Sequence, residues 1–247
     1  PVRDAVSWNS VIAGYAQQGC AKDAFNCFEQ MKKEGLSPNA VTFICILKVC
    51  GSSGAVDKGV EIHSEIINKG LLRHVEVGNA VVDMYAKCGI MTKAQNVLQE
   101  LPVRDVVSWS SLISGYAQQR QGHEALNSLV LMQSEGLSPN EVTFLSVLSA
   151  CNHSGLSNEA EIMFWNMMNR YDILPNLEHL VSLVITFGYA GDFDRATSVI
   201  RVMPDSSHCL VIWIALLSAC RKWGNVKLGR LAFDRVLQLD ISCATVF

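Results

Sequence analysis

DAVSWNSVIAGYAQQ, Asp4–Gln18, returns as DVVSWSSLISGYAQQ, Asp105–Gln119, and the likeness runs on through EGLSPNAVTF (Glu34–Phe43) and EGLSPNEVTF (Glu135–Phe144). Between Asp4–Phe43 and Asp105–Phe144, 23 positions of 40 are identical at an offset of 101. That offset is longer than one solenoid repeat, so smaller units must lie within it. VTFICILKVCGSSGAVDKG from Val41 resembles VTFLSVLSACNHSGLSNEA from Val142, and IWIALLSACRKWGNVKLG from Ile212 is a third relative. The offset divides as 35, 35 and 31 residues, giving units at 5–39, 40–74, 75–105, 106–140, 141–176, 177–209 and a terminal one from Leu210.

Inside a unit the apolar spacing is helical. Trp8, Val11, Ile12 and Tyr15 follow the i, i+3, i+4, i+7 pattern, and Ala24, Cys27, Phe28 and Met31 repeat it after a break at Gly19. Each unit is therefore two helices and a turn. Glycine stands at the fifteenth position of five units (Gly19, Gly54, Gly89, Gly155, Gly191), where a positive φ ends the first helix; the fourth unit has Arg120 there. Five residues on comes a small residue (Ala24, Gly59, Ala94, Ala125, Ala160, Ala196), which lets the two helices approach closely. Gly-Leu-Ser-Pro-Asn at Gly35–Asn39 and Gly136–Asn140 stops the second helix, because proline cannot continue it. The expectation is an all-α, right-handed α-solenoid of about fourteen helices, with no competing strand pattern.

The bulk composition sets limits on function. With 247 residues, 49% hydrophobic and 17% charged, the chain can bury a large core. No stretch reads as a membrane span or a secretory leader, so no membrane partner is expected. Nine scattered cysteines without a CxxC pair fit a reducing compartment rather than a disulfide scaffold. A net charge of −3 argues against grip through long-range attraction to phosphate, although stacking and hydrogen bonding to an unpaired strand need only a local positive field.

VSWNSVIAGYAQQG, VGNAVVDMYAKCG (Val77–Gly89) and ELPVRDVVSW (Glu100–Trp109) resemble the plant pentatricopeptide repeat proteins of the subclass that alternates ordinary, long and short units. The resemblance covers residues 1 to about 240. It implies ordinary units at 5–39 and 106–140, long units at 40–74 and 141–176, and short units at 75–105 and 177–209. Residues 1–4 would be the stub of a preceding repeat, 210–240 an extension motif and 241–247 a tail. It also implies single-stranded RNA as partner, with one base read per repeat by the fifth and the last residue of each unit. The pairs are Asn9 with Asn39, Asn79 with Asp105, and Ser110 with Asn140, all short polar side chains suited to a Watson–Crick edge. The family's code assigns them a pyrimidine, uracil and adenine, with any base between the first two, the strand running 5′ to 3′ from the N-terminal repeat. Ile44 with His74, Leu145 with Asn176, and Val181 with His208 or Cys209 are poorer readers, since an aliphatic fifth residue makes no hydrogen bond. Val6, Val41, Val107 and Val142, second in their units, would wedge between bases. Lys87, His74 and Asn176 are weaker contacts, and since Gln17, Ser52, Gln118, His153 and Tyr189 occupy the turn position where Lys87 stands, phosphate contacts are expected to be weak and steep salt dependence absent. The resemblance further implies a mitochondrion or chloroplast, and a specificity factor for RNA processing or C-to-U editing, with a deaminase or other editing protein supplied in trans. No cofactor, metal, DNA partner or catalytic residue is expected.

Plainer readings compete at several positions. Asn9 and Ser110 alone would be caps or surface residues, and only their periodic placement argues otherwise; Asp105 and Asn140, at helix-starting joints, suit both roles. His63-Ser64-Glu65 has the H-x-E spacing of zinc deaminases, but no P-C-x-x-C supplies the remaining ligands, so His63 is expected on a helix surface. Cys50, Cys151 and Cys220 read as small buried hydrophobes, and Trp8, Trp109 and Trp213 as packing residues rather than base platforms. A helical-repeat scaffold for proteins remains the alternative function, and a structural remnant a third.

Overall fold

Short polar residues open the hairpins. The Asp4 carboxylate accepts from Ser7 N at 2.8 Å, Asn39 Oδ1 from Thr42 N at 3.0 Å, Asp105 Oδ1 from Ser108 N at 2.8 Å, Asn140 Oδ1 from Thr143 N at 2.9 Å and Asn176 Oδ1 from His179 N at 3.2 Å. Each cap satisfies a helix-terminal N–H and contributes about 1 kcal/mol. The computed structural model that shows them describes residues 4–202 and 210–244; residues 1–3, 203–209 and 245–247, which include His208 and Cys209, lie outside the described residues.

Among the described residues there are fourteen α-helices and no strand. They pair as α1 (Ala5–Gln17) with α2 (Ala21–Lys33), α3 (Ala40–Ser53) with α4 (Val56–Asn68), and α5 (Val75–Lys87) with α6 (Met91–Glu100). There follow α7 (Val106–Gln118) and α8 (Gly122–Ser134), α9 (Glu141–Ser154) and α10 (Ser157–Asn169), α11 (Leu177–Ala190) and α12 (Phe193–Val202), and α13 (Leu210–Trp223) and α14 (Val226–Ala244). The all-helical expectation is met. A 3₁₀ turn at Leu71–Arg73 precedes α5.

The expected glycine corners adopt left-handed backbone, with φ of +71° at Gly19, +67° at Gly54, +75° at Gly89, +70° at Gly155 and +81° at Gly191, and Gly224 joins them at +70°. Arg120 departs from glycine in identity but not in conformation, since its φ is +57°. The Gly-Leu-Ser-Pro-Asn joints close α2 and α8 in the same way. Gly35 and Gly136 both sit at φ +80°, and Leu36 N bonds back to Met31 O at 3.1 Å, Leu137 N to Met132 O at 3.3 Å.

The chain forms two compact units, Pro1–Gln119 with Ser128–Leu137, and Arg120–Asn127 with Ser138–Phe247. In the first, α1, α3, α5 and α7 pack in succession and α2 and α6 flank them. Ile12, Phe28, Phe43, Ile46, Leu47, Ile62 and Met84 fill its core. In the second, α9, α11 and α13 form the corresponding row around Phe144, Leu148, Leu183, Ile212 and Leu216. The small residues at the close approaches are all fully buried alanines except Gly59, where an added Cβ would lie 2.5 Å from Met84 Sδ. At Gly115 an added Cβ would meet Ala86 Cβ at 2.6 Å, so α5 and α7 touch almost backbone to backbone.

Candidate nucleic-acid interface

The N-terminal turns of the first helices carry the expected readers, and the tightest pair is Asn79 with Asp105. Asn79, the fifth residue of α5, is 8% exposed, and its Nδ2 donates to both carboxylate oxygens of Asp105, at 3.1 and 3.2 Å. A carboxylate only accepts, so it fixes the orientation of the amide. Asn79 Oδ1 is left buried with no hydrogen-bond partner. Asp105 meanwhile caps α7, its Oδ1 accepting from Ser108 N while its own backbone N–H donates to Ser108 Oγ in a capping box.

Asn9 and Asn39 are joined more loosely. Asn9 Nδ2 reaches Asn39 Oδ1 at 3.4 Å, while Asn9 Oδ1 accepts from Thr42 Oγ1 at 2.7 Å. The Asn9 amide is thus engaged at both ends, which the Asn79 amide is not. Ser110 is buried in the first unit, and Asn140 caps α9 in the second. Ile44, Leu145 and Val181 are half-buried, and His74 is exposed without a side-chain cap bond. Asn176 caps α11, its partner His179 taking the place of the usual threonine or serine and reaching Glu141 O at 3.0 Å.

Four valines stand out of the apolar stripe: Val6, Val41, Val107 and Val142 are 69%, 54%, 56% and 61% exposed, each one turn-step from a cap. Val211, second in α13, is exposed in the same way and belongs with them; its position in the terminal unit was the available sequence signal. The corresponding residues of α5 and α11 are the exposed Glu76 and Glu178.

Lys87, at the other end of α5, is bound by Asp83 at 2.7 Å. Lys222 occupies the same thirteenth place in α13 and was missed by sequence reasoning. Its Nζ donates to Tyr189 O at 3.0 Å.

The tryptophans are packed rather than presented, with Trp8, Trp109 and Trp213 between 5% and 8% exposed. Trp109 Nε1 donates to Glu135 Oε2 at 2.9 Å, and Arg104 pairs with Glu135 Oε1 at 2.8 Å, so the ring is anchored to the residue that follows the second helix of its own hairpin. Cys50, Cys151 and Cys220 are buried; burial pushes the Cys50 and Cys151 thiols up to about 12. His63 is not the surface residue expected. It is half-buried, its Nδ1 is 3.1 Å from Tyr85 Oη and its ring lies edge-on to that tyrosine. Burial holds its pKa below the ordinary histidine value; nearby Lys93 adds to this and Glu100 opposes it. Among the described residues no three His, Cys, Asp or Glu side chains gather as a metal site, and no helix is long and apolar enough to cross a membrane.

Helical hairpins repeated in tandem, each opened by a polar cap beside an exposed apolar side chain, define a helical-repeat protein. The PPR repeat family pattern matches residues 3–52 and 104–153, and the PPR repeat pattern residues 41–71 and 142–171. Together these cover more than half of the sequence, and the chain belongs to the pentatricopeptide repeat family. Among curated relatives from Arabidopsis thaliana, the mitochondrial pentatricopeptide repeat-containing protein At4g31070 is 39% identical over 240 residues, covering 97% of this chain and 38% of the relative. The chloroplastic protein CRR2 is 39% identical over 242 residues, covering 97% and 37%. The chain thus spans less than two-fifths of the length of these relatives. The crystal structure of PPR10 from maize aligns with 96% of this chain and 37% of its own, at a TM-score of 0.66 and 23% identity, and establishes the likeness of fold.

Proposed function

We propose that the chain is part of a sequence-selective single-stranded RNA binder of a plant mitochondrion or chloroplast, serving as a specificity factor for RNA processing or C-to-U editing with the chemistry supplied by another protein. The observation that carries the reading is the Asn79–Asp105 pair. A buried amide oxygen without a partner is costly, on the order of 1–3 kcal/mol, and a donor on a base edge removes that cost. Uracil offers such a donor at N3–H, flanked by carbonyl acceptors. The flanking Val107 supplies a flat apolar contact that any base tolerates. A structure of PPR10 has been determined in complex with an 18-nt psaJ RNA element, which supports RNA as the class of ligand for this family member too. The mitochondrial and chloroplastic relatives support the organelle.

In the same reading the units are ordinary (5–39, 106–140), long (40–74, 141–176) and short (75–105, 177–209), followed by an extension motif at 210–240. Asn9/Asn39 takes a pyrimidine, Asn79/Asp105 uracil and Ser110/Asn140 adenine. The test is a titration of the chain against RNAs that differ only at the base opposite Asn79/Asp105, repeated with Asn79→Thr. Preference for uracil, moving toward guanine in the variant, is expected; equal affinity for all four bases sinks the readout, and indifference to RNA combined with capture of a defined protein ligand supports the scaffold instead.

A further inference from the structure

Two joints of the first unit set an asparagine, fifth in its helix, against the residue that caps the next first helix, and their hydrogen bonds run differently. At the first joint Asn39 Oδ1 accepts from Thr42 N at 3.0 Å, and that backbone donor fixes which way the Asn39 amide faces. Asn9 Nδ2 lies 3.4 Å from Asn39 Oδ1, so turning the Asn9 amide over would set two acceptors against each other. The Thr42 hydroxyl has one hydrogen and two acceptors in reach, Asn9 Oδ1 at 2.7 Å and Asn39 Oδ1 at 3.1 Å, and the nearer one takes it. Thr42 is fully buried, so this bond is made away from water and holds the Asn9 oxygen firmly. At the second joint Ser108 stands where Thr42 does. Its hydroxyl donates to Asp105 O at 2.8 Å instead, and Asn79 Oδ1 is left without a partner. The two joints therefore offer different groups. Asn79/Asp105 presents acceptors, an open amide oxygen and a carboxylate. At Asn9/Asn39 both amide oxygens are occupied, and what remains is donor: the second hydrogen of Asn9 Nδ2, and Nδ2 of the exposed Asn39, which makes no hydrogen bond among the described residues.

We propose that Thr42 is a positioning residue of the RNA contact: by occupying Asn9 Oδ1 it makes Asn9/Asn39 a pair of donors, which selects cytosine over uracil. This rests on the RNA reading above and deepens it, since that reading leaves the choice between the two pyrimidines open. Cytosine turns two adjacent acceptors, N3 and O2, toward such a pair, whereas uracil puts N3–H there, a donor facing donors. Thr42 touches no base. It acts through the Asn9 amide, from the third place of the following helix, and the absence of an equivalent bond at Asn79 leaves the second pair open to the N3–H of uracil.

The test uses the full chain with the variants Thr42→Val, Thr42→Ser and Ser108→Ala, titrated against short RNAs that carry cytosine or uracil opposite Asn9/Asn39 and are otherwise the same. The Asn9 side-chain amide is followed in parallel by NMR without RNA. The wild-type chain is expected to prefer cytosine about three- to tenfold, the worth of one hydrogen bond made or missed. In Thr42→Val the freed Asn9 oxygen accepts from uracil, so the preference falls to about one or reverses, and the Asn9 amide becomes more mobile. Thr42→Ser keeps the hydroxyl and with it the preference. Ser108→Ala loses a capping-box bond of the same kind, yet the uracil preference opposite Asn79/Asp105 is expected to stay, because that hydroxyl serves backbone. A cytosine preference that survives Thr42→Val overturns the proposal, as does an Asn9 amide no more mobile in that variant. Should Ser108→Ala shift its own pair as far as Thr42→Val shifts the first, the effect is that of a weakened helix start and the positioning role fails. Equal affinity for the two pyrimidines opposite Asn9/Asn39, with uracil still preferred opposite Asn79/Asp105, sinks this proposal alone. A wild-type chain that binds no RNA, or distinguishes no base at either pair, sinks the RNA reading and this selection with it.

Discussion

Lys87 and Lys222 stand thirteenth in the first helices of their hairpins, one in each compact unit, and meet opposite surroundings. Four residues before Lys87 is Asp83, which binds it at 2.7 Å; four before Lys222 is Ser218, and its Nζ turns to the carbonyl of Tyr189. The first unit also holds the pairs Asn9–Asn39 and Asn79–Asp105, joined directly by side-chain hydrogen bonds, whereas in the second the half-buried Leu145 and Val181 stand fifth in their helices, as Ile44 does once in the first. Identical hairpin geometry thus carries joined polar pairs in one unit and, in the other, a lysine turned to a backbone carbonyl. A shared scaffold fixes where a side chain sits, and its neighbours one turn away decide whether that side chain is available.

The comparison can be broken at four points. Ile46→Ala, fully buried in the first unit, is expected to cost about 2–5 kcal/mol in urea unfolding. Hydrogen exchange should then rise in α1–α7 while α9–α13 keep their protection; a uniform rise would mean that the two units open as one. Next, Asp105→Ala removes a cap and strands the Asn79 amide, roughly 2–4 kcal/mol together, whereas Asn140→Ala loses the cap alone, about 1 kcal/mol. Equal losses would show that the Asn79–Asp105 bond contributes nothing to the free protein.

Alkaline titration probes both units at once, because Cys50 and Cys151 lie in equivalent places. Their thiols are raised by burial from 9.0 to about 12, so the folded chain holds protons that the unfolded chain releases. Stability from this source is complete below pH 9 and is lost as pH rises toward 12, so the melting temperature should fall across that window. Cys50→Ala and Cys151→Ala should each flatten the fall. The smallest effect is Lys87→Gln, at most about 0.5 kcal/mol in urea unfolding for an exposed pair. A larger loss from Lys87→Gln would reverse the contrast drawn between the two lysines.

Much of the fold was legible because repetition converts a weak helical pattern into a strong one: the caps at Asn39 and Asn140, the left-handed glycines and the small residues at close approaches recur at fixed spacing. The placement of Val6, Val41, Val107 and Val142 on exposed ground follows the same register. What resisted was pairwise and long-range. His63 is amphipathic by spacing, and only the approach of Tyr85, 22 residues on, half-buries it. Arg120 looked like a break in the corner pattern because residue type suggests φ below zero; Ser154, 34 residues away, holds it otherwise. Lys222 was overlooked for a related reason, since the carbonyl that holds it, Tyr189 O, lies 33 residues away.

The double duty of the joint residues limits what such an array can become. Asn39, Asp105, Asn140 and Asn176 each begin a helix with the side chain that the proposed reading makes the second contact to a base. On that reading, rewriting an address at that place is confined to a small alphabet of helix-starting residues, and any letter outside it weakens folding before it is ever judged on its target. His74, which offers no cap bond and follows a 3₁₀ turn, marks the one joint described here where that grammar is relaxed.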